Sequence, residues 1–128
     1  MYEILSGYFF MKILVVDDNK KISDVLKQVL EIDGHECTVA SSGRNGLSMI
    51  RQQKFDAIFM DLAMPEFSGM DVIDSLEKSG EIKEQKIIVL TASAIHDTLE
   101  DDLAKKGVHM LLRKPIGMDE IRDVLKNL

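Results

Sequence analysis

Three carboxylates, one hydroxyl and one ammonium group follow short apolar segments at well-separated points of the sequence. Asp17 and Asp18 follow KILVV, Asp61 follows AIFM, Thr91 follows KIIVL, and Lys114 lies two residues after VHMLL. These are the parts of a phosphoryl-transfer site: a carboxylate nucleophile, acids for a divalent ion, and a lysine and a hydroxyl that stabilise charge on the equatorial oxygens. No general base is needed, because a carboxylate is already an anion.

The apolar segments before these residues are predicted to be strands buried on both faces of a parallel sheet. Between the first two strands the spacing becomes helical, and Ile22, Val25, Leu26, Val29 and Leu30 form one apolar stripe. Strand and helix then alternate with short connections to the end of the chain. The sequence therefore predicts an α/β fold, a flavodoxin-like doubly wound (βα)5 three-layer sandwich with parallel sheet order 2-1-3-4-5.

In this sheet order the ligand site lies at the carboxyl ends of the first and third strands. Asp17, Asp18 and Asp61 should converge there, and two like charges at ~4 Å repel by about 4 kcal/mol at an effective dielectric constant of about 20. Such a cluster needs a cation. Hard oxygen ligands with no His or Cys nearby suit Mg²⁺ or Mn²⁺.

Each of these features also has a simpler explanation. The pair Asp17-Asp18 could cap the following helix, since acids are favourable at a helix N-terminus. Pro65 and Gly69 alone are turn residues, and Lys114 before a proline alone is part of a loop. Four such features at four strand ends, all at the same edge of the sheet, favour a site.

Composition narrows the class of protein. The 128 residues carry a net charge of −6 with a pI near 5.0, which argues against a nucleic-acid surface. Cys37 is the only cysteine, so an intramolecular disulfide and a Cys-rich metal site are excluded and a buried, inert thiol is expected. No apolar run reaches transmembrane length and the start lacks a signal peptide's pattern, so we expect a cytoplasmic protein without a membrane contact.

The first ten residues form a distinct opening segment, MYEILSGYFF, which holds four of the seven aromatic residues. So much apolar surface should dock on the domain or pair with another chain. The simpler alternative is that the natural start is Met11 and that the preceding residues have no role. We therefore predict an N-terminal extension over 1–10 and one domain over 11–128.

The motifs VVDDN, MDLAMPEFSG, LTAS and RKPI, in this order and spacing, resemble the receiver domain of two-component response regulators. The resemblance covers 11–128 and is to the stand-alone form, like the chemotaxis and sporulation phosphorelay regulators. It implies that Asp61 is the phosphoacceptor. It also implies that Asp18 and Asp61 bind Mg²⁺ directly, Asp17 binds it mainly through water, and Ala63 adds its backbone carbonyl.

The same resemblance implies a switch. Lys114 would bind a phosphoryl oxygen, aided by a cis bond to Pro115, and Thr91 would swing toward another oxygen. A sensor histidine kinase would be the donor. The new charge would reach the face of the fourth helix, fifth strand and fifth helix, where a downstream target protein or a histidine phosphotransfer domain would bind. The fourth helix, around Ile95 to Lys106, is expected to be the least firmly packed, and the protein to be a monomer or a weak phosphorylation-dependent dimer.

Two positions depart from the family pattern. Leu111 stands where the family usually carries an aromatic switch residue, and His109 lies two positions away from it. Ala63 has a side chain that cannot position an attacking water.

Three rival interpretations remain. Leu111 allows a degenerate receiver that acts as a phosphorylation-independent interaction module. An aspartyl-phosphate phosphatase would carry a second acid two residues after its nucleophile, where Ala63 stands. Flavin binding would need a Ser/Thr-rich phosphate loop after the first strand, which this sequence lacks.

Overall fold

The computed structural model describes residues 2–3, 9–92 and 98–128. In these ranges a five-stranded parallel sheet lies between two layers of helices, and a short antiparallel hairpin precedes it. The strands are β1 (Tyr2–Glu3), β2 (Phe9–Phe10), β3 (Lys12–Val16), β4 (Glu36–Ala40), β5 (Ala57–Asp61), β6 (Ile87–Thr91) and β7 (Met110–Arg113). The helices are α1 (Lys20–Ile32), α2 (Gly43–Gln52), α3 (Gly69–Ser79), α4 (Leu99–Lys106) and α5 (Met118–Lys126), with a 3-10 turn at Glu81–Glu84.

The large sheet has the order β4-β3-β5-β6-β7, which confirms the predicted 2-1-3-4-5 order of a flavodoxin-like sandwich. Neighbouring strands are parallel and in register near their carboxyl ends, where Val16 pairs with Met60, Asp61 with Leu90, and Thr91 with Arg113. The residues that follow the strands therefore lie along one edge of the sheet.

The core has two layers because successive residues of a buried strand point to opposite faces. Leu14, Val16 and Ile58 face α2, α3 and α4, whereas Ile13 and Val15 face α1 and α5. All of these side chains are fully buried. The continuous apolar runs of the sequence thus form a sheet covered on both faces, as predicted.

Helix α1 differs from its predicted stripe at one position. Val25 is 60% exposed, whereas Leu26, Val29 and Leu30 are buried. Ser23 is buried in its place and donates its hydroxyl hydrogen to the Lys20 carbonyl at 3.1 Å. The buried face of α1 is therefore rotated away from Val25, which lies at the surface.

The last helix-strand unit also departs from its predicted bounds. Helix α4 begins at Leu99, and the predicted inward position of Ile95 lies outside the described residues. Strand β7 begins at Met110, so His109 precedes the strand and is exposed. Of the helices described, none combines the length and apolar character needed to cross a membrane.

Candidate functional site

The carboxylates predicted to converge do so at the carboxyl edge of the sheet. Asp17 directly follows β3, Asp61 is the last residue of β5, and both are buried, whereas Asp18 is exposed. Each residue can offer one oxygen such that all three oxygens lie within 4.8 Å of one another. Among the residues that the structure describes, these three form the group of acidic, His or Cys side chains that has the spacing of a metal site.

Lys114 connects the two buried acids. Its Nζ lies 3.0 Å from Asp17 Oδ2 and 3.6 Å from Asp61 Oδ2, and its side chain is largely buried. The residue follows β7, whose end is tied to β6 because the Lys114 N–H donates to the Thr91 carbonyl at 2.8 Å. A cation supplied from 97 residues away in sequence thus partly compensates the acids.

The electrostatics at Asp61 show that this compensation is incomplete. Burial raises the pKa of the Asp61 carboxyl, and the nearby Asp17 charge raises it further. Lys114 and the Ala63 N–H, which donates to Asp61 Oδ1 at 3.2 Å, lower the same pKa by less. The pocket therefore retains an excess of negative charge that a bound cation would relieve.

Backbone geometry around the acids is tightly defined. The Asn19 N–H donates to Asp17 Oδ1 at 2.9 Å, and the Asn19 side chain caps α1 by accepting from the Ile22 N–H. A Cβ atom on Gly69 would lie 2.1 Å from the Asp61 carbonyl oxygen, so only glycine fits there. The sequence marked Gly69 as a turn residue but did not reveal this approach to the acid.

The loop between β5 and α3, residues 62–68, has a strained turn. Glu66 has a φ of 65°, and the Phe67 N–H donates to the Pro65 carbonyl at 2.7 Å, which closes a three-residue turn. Ala63, on the near side of this turn, is exposed. Ser68 and Asp71 then begin α3 with a reciprocal capping box. The loop is therefore fixed at both of its ends.

Thr91 and Leu111 lie on the neighbouring strands β6 and β7. Thr91 ends β6 and is buried, and Leu111 is half-buried on β7, where it packs against the core layer of α2, α3 and α4. The Lys114–Pro115 peptide bond is cis, as the sequence resemblance implied. His109 is exposed and lies just before the strand.

Two other reactive side chains, Cys37 and His35, lie away from this pocket. Cys37 is buried in β4, and burial raises the pKa of its thiol to about 11, which makes it an inert core residue as predicted. His35 accepts a hydrogen bond from the Met11 N–H at 3.1 Å, at the opposite edge of the sheet. His96 lies outside the described residues.

The donor set fits a small hard cation. Asp17, Asp18 and Asp61 supply carboxylate oxygens without nitrogen or sulfur ligands, as Mg²⁺ and Mn²⁺ prefer. The exposed position of Asp18 leaves one side of the cluster open to water, which Mg²⁺ retains when it binds proteins.

Comparison with known proteins gives one consistent family. The response regulator receiver domain family model matches residues 13–126. Response regulator MprA of Mycolicibacterium vanbaalenii is 31% identical over 113 residues, which cover 87% of this chain and 47% of that protein. The polar-differentiation response regulator DivK of Brucella anthropi is 26% identical over 115 residues and is covered over 93% of its length. The chain thus spans about half of its MprA-type relatives and nearly all of DivK.

Solved structures agree with the sequence relatives. The receiver domain of Francisella response regulator 1452 superposes with a TM-score of 0.82 at 30% identity, covering 91% of this chain and 94% of that one. Response regulator TrrA of Thermotoga maritima, solved in complex with Mg²⁺-BeF, has a TM-score of 0.75 at 30% identity and covers 91% and 96%. On these grounds the chain belongs to the response regulator receiver domain family of two-component signalling.

Proposed function

We propose that this receiver domain is a phosphoacceptor switch in which Asp61 takes a phosphoryl group from a histidine kinase. The observation that carries the proposal is the position of Lys114 Nζ, 3.0 Å from Asp17 and 3.6 Å from Asp61. It places a fixed cation beside the one acid that ends a central strand. Receiver domains are signalling switches, and the residues of this pocket supply the parts that such a switch needs.

The transfer step is a nucleophilic substitution at phosphorus. One Asp61 oxygen forms a bond to phosphorus, the P–N bond of the phosphohistidine breaks, and the imidazole leaves with the electron pair and is protonated by water. Lys114 stabilises negative charge on one equatorial oxygen, and the Ala63 N–H, already bonded to Asp61 Oδ1, keeps the carboxylate oriented.

Receiver domains bind Mg²⁺ in an acidic pocket, and here Asp17, Asp18 and Asp61 would hold the ion together with the Ala63 carbonyl. When bound, the ion neutralises charge on the phosphoryl oxygens and on the acids. The solved complex of Thermotoga maritima TrrA with Mg²⁺-BeF supports this assignment by kinship. In the metal-free state Lys114 takes over part of that role.

A groove of about 580 Å³ beside the pocket offers a docking place for the donor. It is lined mainly by apolar groups, among them Ile22, Val25, Pro115 and Ile116, and the Lys114 stem forms part of its wall. Because the groove shares Lys114 with the pocket, a histidine-bearing helix seated in it brings its imidazole to the edge where Asp61 lies. This docking role would give the exposed Val25 an apolar partner.

The output surface is the α4-β7-α5 face. Leu103 is the buried residue of α4 and Leu99 is half-buried, so little apolar surface fixes this helix. Lys106 ties its C-terminal end to α3 through Asp74 and Glu77. A phosphoryl group that draws in Thr91 changes the packing beside Leu111, and a downstream target protein or a histidine phosphotransfer domain reads the change.

Intact-protein mass spectrometry after incubation with acetyl phosphate and Mg²⁺ tests the proposal. We expect a single phosphoryl adduct on the wild-type chain and none on Asp61→Asn or after addition of EDTA. Val25→Glu should retain the adduct from acetyl phosphate and lose transfer from a phosphorylated histidine kinase that modifies the wild type. An adduct on Asp61→Asn, or no adduct on folded wild-type protein, would contradict the proposal, and the latter would favour an interaction module.

A further inference from the structure

The first turn of α2 packs, through two glycines, against the residue before Asp17 and against the loop that follows Asp61. A Cβ atom at Gly46 would lie 2.8 Å from both Val16 methyl groups, and Val16 immediately precedes Asp17. A Cβ atom at Gly43 would lie 2.1 Å from the Phe67 carbonyl oxygen, in the loop that carries Ala63. Both distances are shorter than side chains tolerate, so α2 sits against β3 and this loop with no free space.

A third contact fastens the loop from outside. The Arg44 guanidinium lies over the Phe67 ring, 4.5 Å from its centroid. Phe67 is half-buried against the core layer, and its N–H closes the three-residue turn with Pro65. Arg44 is exposed and forms no ion pair with the other residues that the structure describes, so its contribution at this place is the cation-π contact with the loop.

These contacts make the loop position depend on α2. Val16 is fully buried and β-branched, so α2 cannot move closer to the sheet. Any enlargement at Gly43 must then displace Phe67, and the turn transmits that displacement toward Ala63. Ala63 in turn donates its N–H to Asp61 Oδ1.

We propose that Gly43 and Arg44 are positioning residues, which fix the 62–68 loop and thereby the oxygen ligands that Asp61 and Ala63 offer to Mg²⁺. The inference rests on the proposed function, because it concerns the metal that the acidic pocket would hold. Neither residue touches the metal or the phosphoryl group. They act through Phe67.

The test is a Mg²⁺ titration of the ¹⁵N-labelled 128-residue protein, monitored through the chemical shift of the Ala63 amide. Because outer-shell partners of metal ligands typically change metal affinity by 10–100-fold, we expect Gly43→Ala to weaken binding by about tenfold or more. Loss of an exposed cation-π contact should lower the Mg²⁺ affinity of Arg44→Ala by about threefold. Arg51→Ala is the matched control, since Arg51 lies at the other end of α2 and pairs with Glu81, and it should bind as the wild type does.

A purely structural role is distinguished by Val29→Ala, which removes buried volume from α1, the helix whose Leu26 and Leu30 pack on the opposite face of the sheet. It should lower thermal stability without changing Mg²⁺ affinity. If Gly43→Ala fails to fold, Arg44→Ala and Phe67→Leu decide, and weakened binding in both supports the proposal. Wild-type affinity in folded Gly43→Ala and Arg44→Ala overturns it while leaving the proposed function intact, whereas absence of Mg²⁺ binding by the wild type overturns both.

Discussion

Replacing Lys114 by methionine removes the cation from between two buried acids while retaining the length and apolar stem of the side chain. The Lys114 ammonium lies 3.0 Å from Asp17 Oδ2 and 3.6 Å from Asp61 Oδ2. At an effective dielectric constant of about 20 these contacts correspond to attractions of about 5.5 and about 4.6 kcal/mol. The variant no longer buries an ammonium group, and this gain offsets several kcal/mol of the lost attraction.

Removal of one member of a buried ion pair typically costs about 3–5 kcal/mol. Because Lys114 keeps some contact with solvent, we predict that the metal-free protein loses about 3 kcal/mol of its free energy of unfolding at neutral pH. Mg²⁺ should restore most of this loss, since it supplies positive charge to the same oxygens. A concentration about 100 times the dissociation constant stabilises the folded state by about 2.7 kcal/mol.

The assay is urea unfolding followed by far-UV circular dichroism, with and without Mg²⁺ at constant ionic strength. Lys106→Met is the matched control, because Lys106 also contacts two carboxylates, on Asp74 and Glu77, but does so in solvent. It should lose little stability, and Mg²⁺ should stabilise it by as much as it stabilises the wild type. Two results would refute the electrostatic reasoning. One is an equal loss of stability in the two variants, and the other is a Lys114→Met free energy of unfolding that Mg²⁺ does not raise.

Three further variants probe the pocket and its surroundings. Asp61 has a raised pKa in the folded state, so its charge costs stability as pH rises above about 3.9, and Asp61→Asn should unfold at higher urea than the wild type at pH near 7 without metal. Burial lowers the pKa of His35, so stability should fall as pH drops below about 6.5, and His35→Asn should remove that slope in urea unfolding. Gly69→Ala places a Cβ atom 2.1 Å from the Asp61 carbonyl, and calorimetry should show a loss of about 2 kcal/mol or more.

The strands and the sheet edge that carries the acids were predictable from local patterns in the sequence. Buried parallel strands appear as unbroken apolar runs, and their carboxyl ends share one edge, so Asp17, Asp61, Thr91 and Lys114 could be placed together from spacing alone. The structure brings Lys114 to Asp17 across 97 residues. Such a contact follows from topology once the strand order is known.

Val25 shows where periodicity fails. At about 100° per residue, Val25 lies about 100° from Leu26 and about 140° from Leu30 around the α1 axis. The buried face centres on the latter two, and Ser23 lies about 20° from Leu30 within it, where its hydroxyl is satisfied by a hydrogen bond to the helix backbone. The spacing of Val25 fits the apolar stripe of α1, so the sequence predicts that it faces inward, although it is exposed.

The bounds of β7 and the contacts of α2 also could not be predicted from the sequence. Strand β7 begins at Met110, where its pairing with β6 begins, although the apolar segment already starts at Val108. The approach of Gly43 to Phe67 and the stacking of Arg44 depend on how α2 packs against a loop more than twenty residues away. No spacing rule within either segment encodes that packing.

Reductive trapping of the phosphorylated protein with sodium borohydride, followed by peptide mass spectrometry, tests the central claim most directly. An aspartyl phosphate is reduced to homoserine at the residue that carried it, whereas unmodified acids remain aspartate. We predict homoserine at position 61 in protein treated with acetyl phosphate and Mg²⁺, and aspartate at Asp17 and Asp18 in the same digest. Homoserine at either of those two positions, or at none, would contradict the assignment of Asp61 as the phosphoacceptor.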